Sequence, residues 1–407
     1  MHSMLKKILF ICELFLTTSI VGQNNSFKPF DISFDSNFII QKNTELSNLF
    51  SSKKIIAVGE ATHGSKEFIF IRQSIFKYLN SNSNTNVILL ELPQSVAFWL
   101  NDYIHNKISF QIIDSIFKKA KPYYSKEFFN FLDDIKRLNF ENKIYIGGFD
   151  PDQNYHFATS RLHHLLSNYD KQINEHFTDL ISQIVFIDTV LKETDKYKNE
   201  TVKTAIDTIS NYLNSFRKEF TEEDFFEIQQ CLSQYENTYK YWNTSNIYRH
   251  NLRDRLMADK IEMLSNYFIN TKLLIWAHNN HIRNSDGIIM KPFGELLKNK
   301  FGDKYLSIGT VFSEGSYRVW YDGILSIKNL KQENSGDFTK YLNSLNQNYI
   351  LINKKDLPDN IRKSKTQIHD VGIIQTTEKE RANKYSLNPD KDFDMYIYIT
   401  QITSYDL

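Results

Sequence analysis

The sequence predicts an α/β protein: a parallel-sheet core with helices on both faces, carrying a large all-helical insertion. Three observations predict it. Short β-branched runs alternate with helical periodicity towards both ends of the chain. Acid or imidazole groups follow four of those runs. Between Pro151 and Gly287 lie 135 residues with neither Gly nor Pro, where average usage would place about 16. With 407 residues, 41% of them hydrophobic and 14% aromatic, there is ample apolar content for a sizeable core. Disorder, coiled coil and collagen are excluded. Lys+Arg 49 against Asp+Glu 48 leaves a charge of +1, so the electrostatic footprint of a dedicated nucleic-acid binder is missing.

Residues 1–23 read as an export signal, because Lys6 and Lys7 precede an apolar run from Ile8 to Val21 and the chain turns polar at Gln23-Asn24-Asn25. The run is too short to stay as a membrane anchor. The expectation is a periplasmic or secreted protein with no membrane attachment once the signal is removed. Glu13 interrupts the run and no A-x-A site follows, so a buried N-terminal helix is the alternative. Cleavage would leave Cys231 as the single cysteine and exclude an intrachain disulfide.

Residues 24–150 and 269–407 are expected to form the α/β core. Its strand candidates are Ile55–Val58, Val87–Leu90, Ile144–Ile146, Leu273–Trp276, Leu306–Thr310 and Tyr396–Thr400. A helical period over Phe68–Leu79 between the first two makes a βαβ unit, hence a parallel sheet covered on both faces. Residues 151–268 are expected to be the insertion, four or five helices from about 157 to 268. The spacing of Leu180, Ile181, Ile184, Ile187 and Leu191, then of Val202, Ala205, Ile206, Ile209 and Leu213, is helical. Start signals recur at Asn199, Thr221 and Asn243.

The chemistry gathers where strands end. Ile55–Val58 is followed by Gly59-Glu60-Ala61-Thr62-His63-Gly64, Val87–Leu90 by Glu91, Ile144–Ile146 by Gly147-Gly148-Phe149-Asp150, and Leu273–Trp276 by Ala277-His278-Asn279-Asn280-His281. Ligands of open parallel sheets bind outside the carboxyl ends of the strands, so these groups can converge on one cleft.

These motifs carry a resemblance. Gly59 to Phe68, with Arg72 on the ensuing helix, resembles the opening signature of the erythromycin esterase family. Glu91-Leu92-Pro93, Gly148-Phe149-Asp150, Arg253-Asp254-Arg255-Leu256-Met257-Ala258, Trp276 to His281 and Phe393 to Ile399 resemble its later motifs, in order. The resemblance spans roughly 54–400 and implies an α/β core with an added helical domain. It also implies hydrolysis of the lactone ester of 14- and 15-membered macrolides by activated water, hence macrolide resistance, with no covalent intermediate and no cofactor.

The residue types suit that chemistry on their own terms. Ester hydrolysis at neutral pH needs a base with a pKa near 7, and His63 is of that type. Glu60 can orient its imidazole, and Glu91 can share the water or stabilise the imidazolium. His278, His281, Arg72 and Arg253 are candidate donors to the developing oxyanion. Arg253 and Asp150 are placed with substrate binding, although Asp150 equally suits a cap on the first inserted helix. No Gly-x-Ser-x-Gly elbow occurs, so a Ser nucleophile has no support.

Blander readings stand beside these. His63 suits a helix-capping loop, Glu60 and Glu91 suit buried ion pairs with Arg72 and Arg253, and His278 and His281 suit polar loop positions. His105, His156, His163, His164, His176, His250 and His369 fall outside the motifs and read as surface residues. Two other functions use the same cleft: a zinc or manganese hydrolase, which Arg72 and Arg253 oppose, and an exported binding protein for an apolar ligand. The expected partner is a small molecule; oligomeric state is not readable.

Overall fold

Aliphatic and β-branched runs buried on both faces make the centre of the sheet. The computed structural model describes residues 40–406 apart from 41–42, 119–124, 141–142, 152–154, 170, 172, 174, 180–199, 286–290, 323, 332–335, 373 and 376–383. The export segment over 1–23 and the periodic run over 180–191 lie outside the described residues.

The strands are β1 (Ile55–Glu60), β2 (Thr85–Leu90), β3 (Tyr145–Gly148), β4 (Lys272–His278), β5 (Tyr305–Tyr321), β6 (Ile324–Leu330), β7 (Tyr349–Asn353), β8 (Thr366–His369), β9 (Ile374–Gln375), β10 (Lys384–Leu387) and β11 (Met395–Ile402). Their order across the main sheet is β3-β2-β4-β1-β5-β11-β7, with β6 and β9 on the outer part of β5 and β8 paired separately with β10. From β3 to β11 every neighbour on that path is parallel, and β7 closes the edge antiparallel. The six expected strands are all present. Those unforeseen, β6 to β10, are short, exposed or irregular, except β7, whose Ile350, Leu351 and Ile352 sit in an otherwise polar stretch.

The helices are α1 (Thr44–Ser51), α2 (Lys66–Ser83), α3 (Gln94–Ile104), α4 (Phe110–Phe117), α5 (Lys126–Leu138), α6 (Tyr155–Leu166), α7 (Glu200–Ser215), α8 (Glu222–Asn243), α9 (Asn246–Tyr267), α10 (Asn279–Ile282), α11 (Phe293–Phe301), α12 (Asp337–Asn343) and α13 (Asp359–Arg362). Strand side chains alternate in direction, so each run feeds both faces. Ile56, Val58, Ile88, Leu90, Leu274 and Trp276 pack with Ile71 and Ile75 of α2 and Phe131 of α5. Ile55, Ala57, Val87, Leu89, Leu273 and Ile275 pack with Met257, Ile261 and Leu264 of α9 and Leu297 of α11. Each such fully buried aliphatic is worth about 1.5–3 kcal/mol over an exposed one.

Helices α6, α7 and α8 share a third cluster, including Leu162, Ile209 and Leu232, which reaches Phe98 of α3. Thr221 caps α8 by accepting from the Asp224 N–H at 3.0 Å. Arg161 of α6 ties this cluster to α3, bonding Asp102 and also Glu227 of α8, whose carboxyl burial pushes up to about 7. Helix α9 lies against the sheet instead, and so carries its polar residues to the ends of the strands.

Two close approaches set the end of β1 and the loop after it. A Cβ on Gly59 would lie 2.1 Å from Asn279 Oδ1, the atom that accepts from the Thr310 N–H at 3.0 Å while the Asn279 amide donates to Thr310 O at 2.8 Å. A Cβ on Gly64 would lie 1.9 Å from the Arg318 carbonyl oxygen, because β5 pairs with this loop through Arg318 N–H to Gly64 O at 3.0 Å. Gly64→Ala is therefore expected to cost about 1–3 kcal/mol, as overpacking does, read as a lower melting temperature. An unchanged melt would show that β5 can move aside.

Candidate active site

Parallel register lays the carboxyl ends of β3, β2, β4 and β1 side by side, with Glu60 opposite His278 and Leu90 opposite Trp276. Glu60, His63, Glu91, Asp150, His278 and His281 all lie at that edge. Glu60 is the last residue of β1 and is 4% exposed. One oxygen meets His63 Nδ1 at 2.5 Å and the other meets Arg72 Nη2 at 2.6 Å. Burial alone would raise the Glu60 carboxyl, but Arg72 and His63 outweigh it and hold it below the usual range. With Glu60 ionised, His63 Nδ1 carries the proton and Nε2 is left as the basic atom.

Arg72 was expected among the donors to substrate. It lies behind Glu60 instead, 3% exposed, with its guanidinium over the Trp276 ring at 5.4 Å. Helix α2 points it at the carboxylate rather than into the cleft, so it braces the Glu60–His63 pair.

The second group centres on Arg253 of α9. Its Nε and Nη2 grip Asp150 in a bidentate pair at 2.9 and 2.7 Å, Nη2 also meets Glu91 at 2.9 Å, and Nη1 donates to His281 Nε2 at 2.9 Å. Four contacts engage its fork, so Arg253 and Asp150, expected to hold substrate, are bound to each other and to Glu91 and His281. The Asp150 backbone N–H is tied to Leu92 O at 3.1 Å and its carboxylate to Arg253, while residues 152–154, which a cap there would serve, lie outside the described residues. Burial works to raise Glu91, but His281 and Arg253 outweigh it and hold its carboxyl well below the usual range.

A guanidinium can only donate, so His281 Nε2 accepts from Arg253, and Nδ1 donates to Asp254 Oδ1 at 2.8 Å. Burial disfavours the charged ring, yet Asp254 and Glu91 outweigh it and raise the His281 pKa. A second proton on Nε2 would give up Arg253 and turn to Glu91 Oε1, 3.4 Å away.

His278 closes β4 and is 5% exposed, its ring 5.1 Å from that of His63. Its backbone N–H donates to Glu91 Oε2 at 2.8 Å, and Nε2 lies 2.8 Å from Asp370 Oδ1. Burial is again outweighed, by Asp370 first and then by Glu91 and Glu60, so the His278 pKa is pushed up to about 9.

Asp370 and Asp254 had no role in the reading of the sequence. Asp254 was visible inside its motif, next to Arg253. Asp370 was not, because it follows β8 and reaches the cleft only through the pairing of Val371 with Ala61 and Thr62, the Val371 N–H donating to Ala61 O at 2.6 Å. Its neighbour His369, read as a surface residue, is 2% exposed and packs against Phe312. His369→Ala is accordingly expected to lower the melting temperature; the other six histidines outside the motifs are partly or fully exposed.

The geometry is that of a polar cleft holding three imidazoles, each with its own carboxylate, and two arginines behind them. A family model described as erythromycin esterase matches residues 84–402. An Escherichia coli protein named erythromycin esterase type II is 20% identical over 83% of this chain and 89% of its own. Among solved structures, a Bacillus cereus protein is 19% identical with a TM-score of 0.74, over 89% of this chain and 92% of that one. The erythromycin esterase EreC, solved as a mutant in its open conformation, is 17% identical with a TM-score of 0.63, over 89% and 94%.

Proposed function

The chain belongs to the erythromycin esterase family and is a hydrolase of that type, and we propose that it opens the macrolactone ester of erythromycin-type macrolides with water activated by His63. One observation carries this reading: His63 Nδ1 is held by Glu60 at 2.5 Å, which reserves Nε2 for a proton. In the reaction Nε2 takes a proton from water as its oxygen attacks the lactone carbonyl. The adjacent His278, cationic at neutral pH, faces the negative charge that builds on the carbonyl oxygen. Collapse breaks the ring C–O bond, and His63 returns the proton to the departing alkoxide. The product is a hydroxy acid, the parent plus one water. Such ring opening would confer macrolide resistance, and export through residues 1–23 would put the reaction outside the cytoplasm.

The carboxylate oxygens a divalent cation would use are engaged by Arg72, Arg253 and the histidines, which supports direct activation of water. Incubation with erythromycin should give a product heavier by one water in the mass spectrum, undiminished after exhaustive chelation. No water-addition product from any macrolide would move the substrate to another ester. Loss on chelation, with recovery by one divalent ion, would favour a metal-dependent hydrolase.

A further inference from the structure

We propose that Asp370 is a positioning residue of this site: by pairing with His278 Nε2 it keeps that ring an imidazolium beside His63, so that its positive charge meets the developing oxyanion. The inference rests on the hydrolytic reading above and names a residue that none of the motifs contains.

The pair is built for a permanent charge. Asp370 Oδ1 lies 2.8 Å from His278 Nε2, with side chains 1% and 7% exposed. The other ring nitrogen has only a weak partner: the Asn280 backbone N–H approaches Nδ1 at 3.4 Å, beyond the usual 2.7–3.2 Å for a good hydrogen bond. Protonation of Nδ1 forfeits only that long contact, so little opposes the charge that the surrounding carboxylates favour.

The groups around His278 agree on the sign. Glu60 and His63 face it from β1 and the loop after it, Glu91 from the end of β2, and Asp370 from the segment after β8, while His281 belongs to its own short helix. Arg72 and Arg253 stand one residue further back, each against a carboxylate. Three carboxylates therefore bear on the ring, and the raised value of about 9 leaves it charged at neutral pH. A raised imidazole pKa stabilises the fold below the unfolded value of about 6.5, and that contribution is lost as pH rises through the folded value.

Asp370→Asn keeps the shape and removes the charge. Its His278 ring, followed by ¹⁵N NMR with the signal assigned by its loss in His278→Gln, should titrate well below the wild-type value. Turnover at pH 8 should fall by about 10²–10³ with KM little changed, as expected for lost oxyanion stabilisation, and the alkaline limb of the kcat profile should move to lower pH. Asp370→Glu should recover part of both. An unchanged titration in a variant that melts normally would overturn the proposal. So would a lowered titration with undiminished turnover. The ring titration needs no substrate, and rates on a p-nitrophenyl ester need no macrolide. A wrong macrolide assignment is thus distinguishable from a wrong role for Asp370.

Discussion

Replacing His63 by Ala should lower kcat by about 10²–10⁴, the usual contribution of a general base, while melting temperature and KM stay close to wild type. The ring is more exposed than Glu60 or Arg72, its side chain 13% against 6% and 3%, so its loss leaves little cavity behind. Glu60→Gln should act on turnover as well, because the amide can still accept from Nδ1–H but no longer stabilises the imidazolium. It also leaves Arg72 buried without its carboxylate, so its melting temperature should fall, unlike that of His63→Ala. Steady-state kinetics and thermal melting on both variants separate the two effects. A His63→Ala protein that melts normally and keeps near-normal turnover would remove His63 from the reaction.

The largest effect on stability is expected at Arg253. Arg253→Ala would leave Glu91 and Asp150, whose side chains are 6% and 18% exposed, without the guanidinium that joins them. Removing one partner of such a pair costs about 3–5 kcal/mol. Lys in its place restores charge but not the two-pronged grip on Asp150, and should recover only part of the loss. The pH dependence gives a second reading. Because the Glu91 carboxyl is depressed in the fold, its contribution is present above the unfolded value of about 4.5 and is lost in wild type only in strong acid. In Arg253→Ala, Asp150 loses its bidentate partner while Glu91 keeps His281, so the deficit relative to wild type should narrow as pH falls from 7 towards 5. Urea unfolding at several pH values measures both; a variant as stable as wild type at pH 7 would show that the network contributes little.

What the sequence determined by itself was the scaffold and most of the cleft. Six apolar runs were long enough and β-branched enough to read as strands, and the absence of Gly and Pro between Pro151 and Gly287 read as helices. Parallel strands put their carboxyl ends on one edge. Residues that follow a strand therefore inherit its position, and this is why Glu60, His63, Glu91, Asp150, His278 and His281 were legible. Some pairings were legible as well, Glu60 with His63 three positions on and Glu60 and Glu91 with Arg72 and Arg253, but those of Asp150, His278 and His281 were not. That Asp150 holds Arg253 depends on where α9 lies, and only the packing of Met257, Ile261 and Leu264 against the sheet decides that. Asp370 sits 92 positions from His278 on a segment with no periodicity of its own. Its place is set by the backbone hydrogen bond that its neighbour Val371 donates to Ala61, which nearly any residue type can make. Periodicity, strand ends and the Glu60–His63 spacing are local properties of the chain, whereas the carboxylates that His278 and His281 meet are a product of tertiary contact alone.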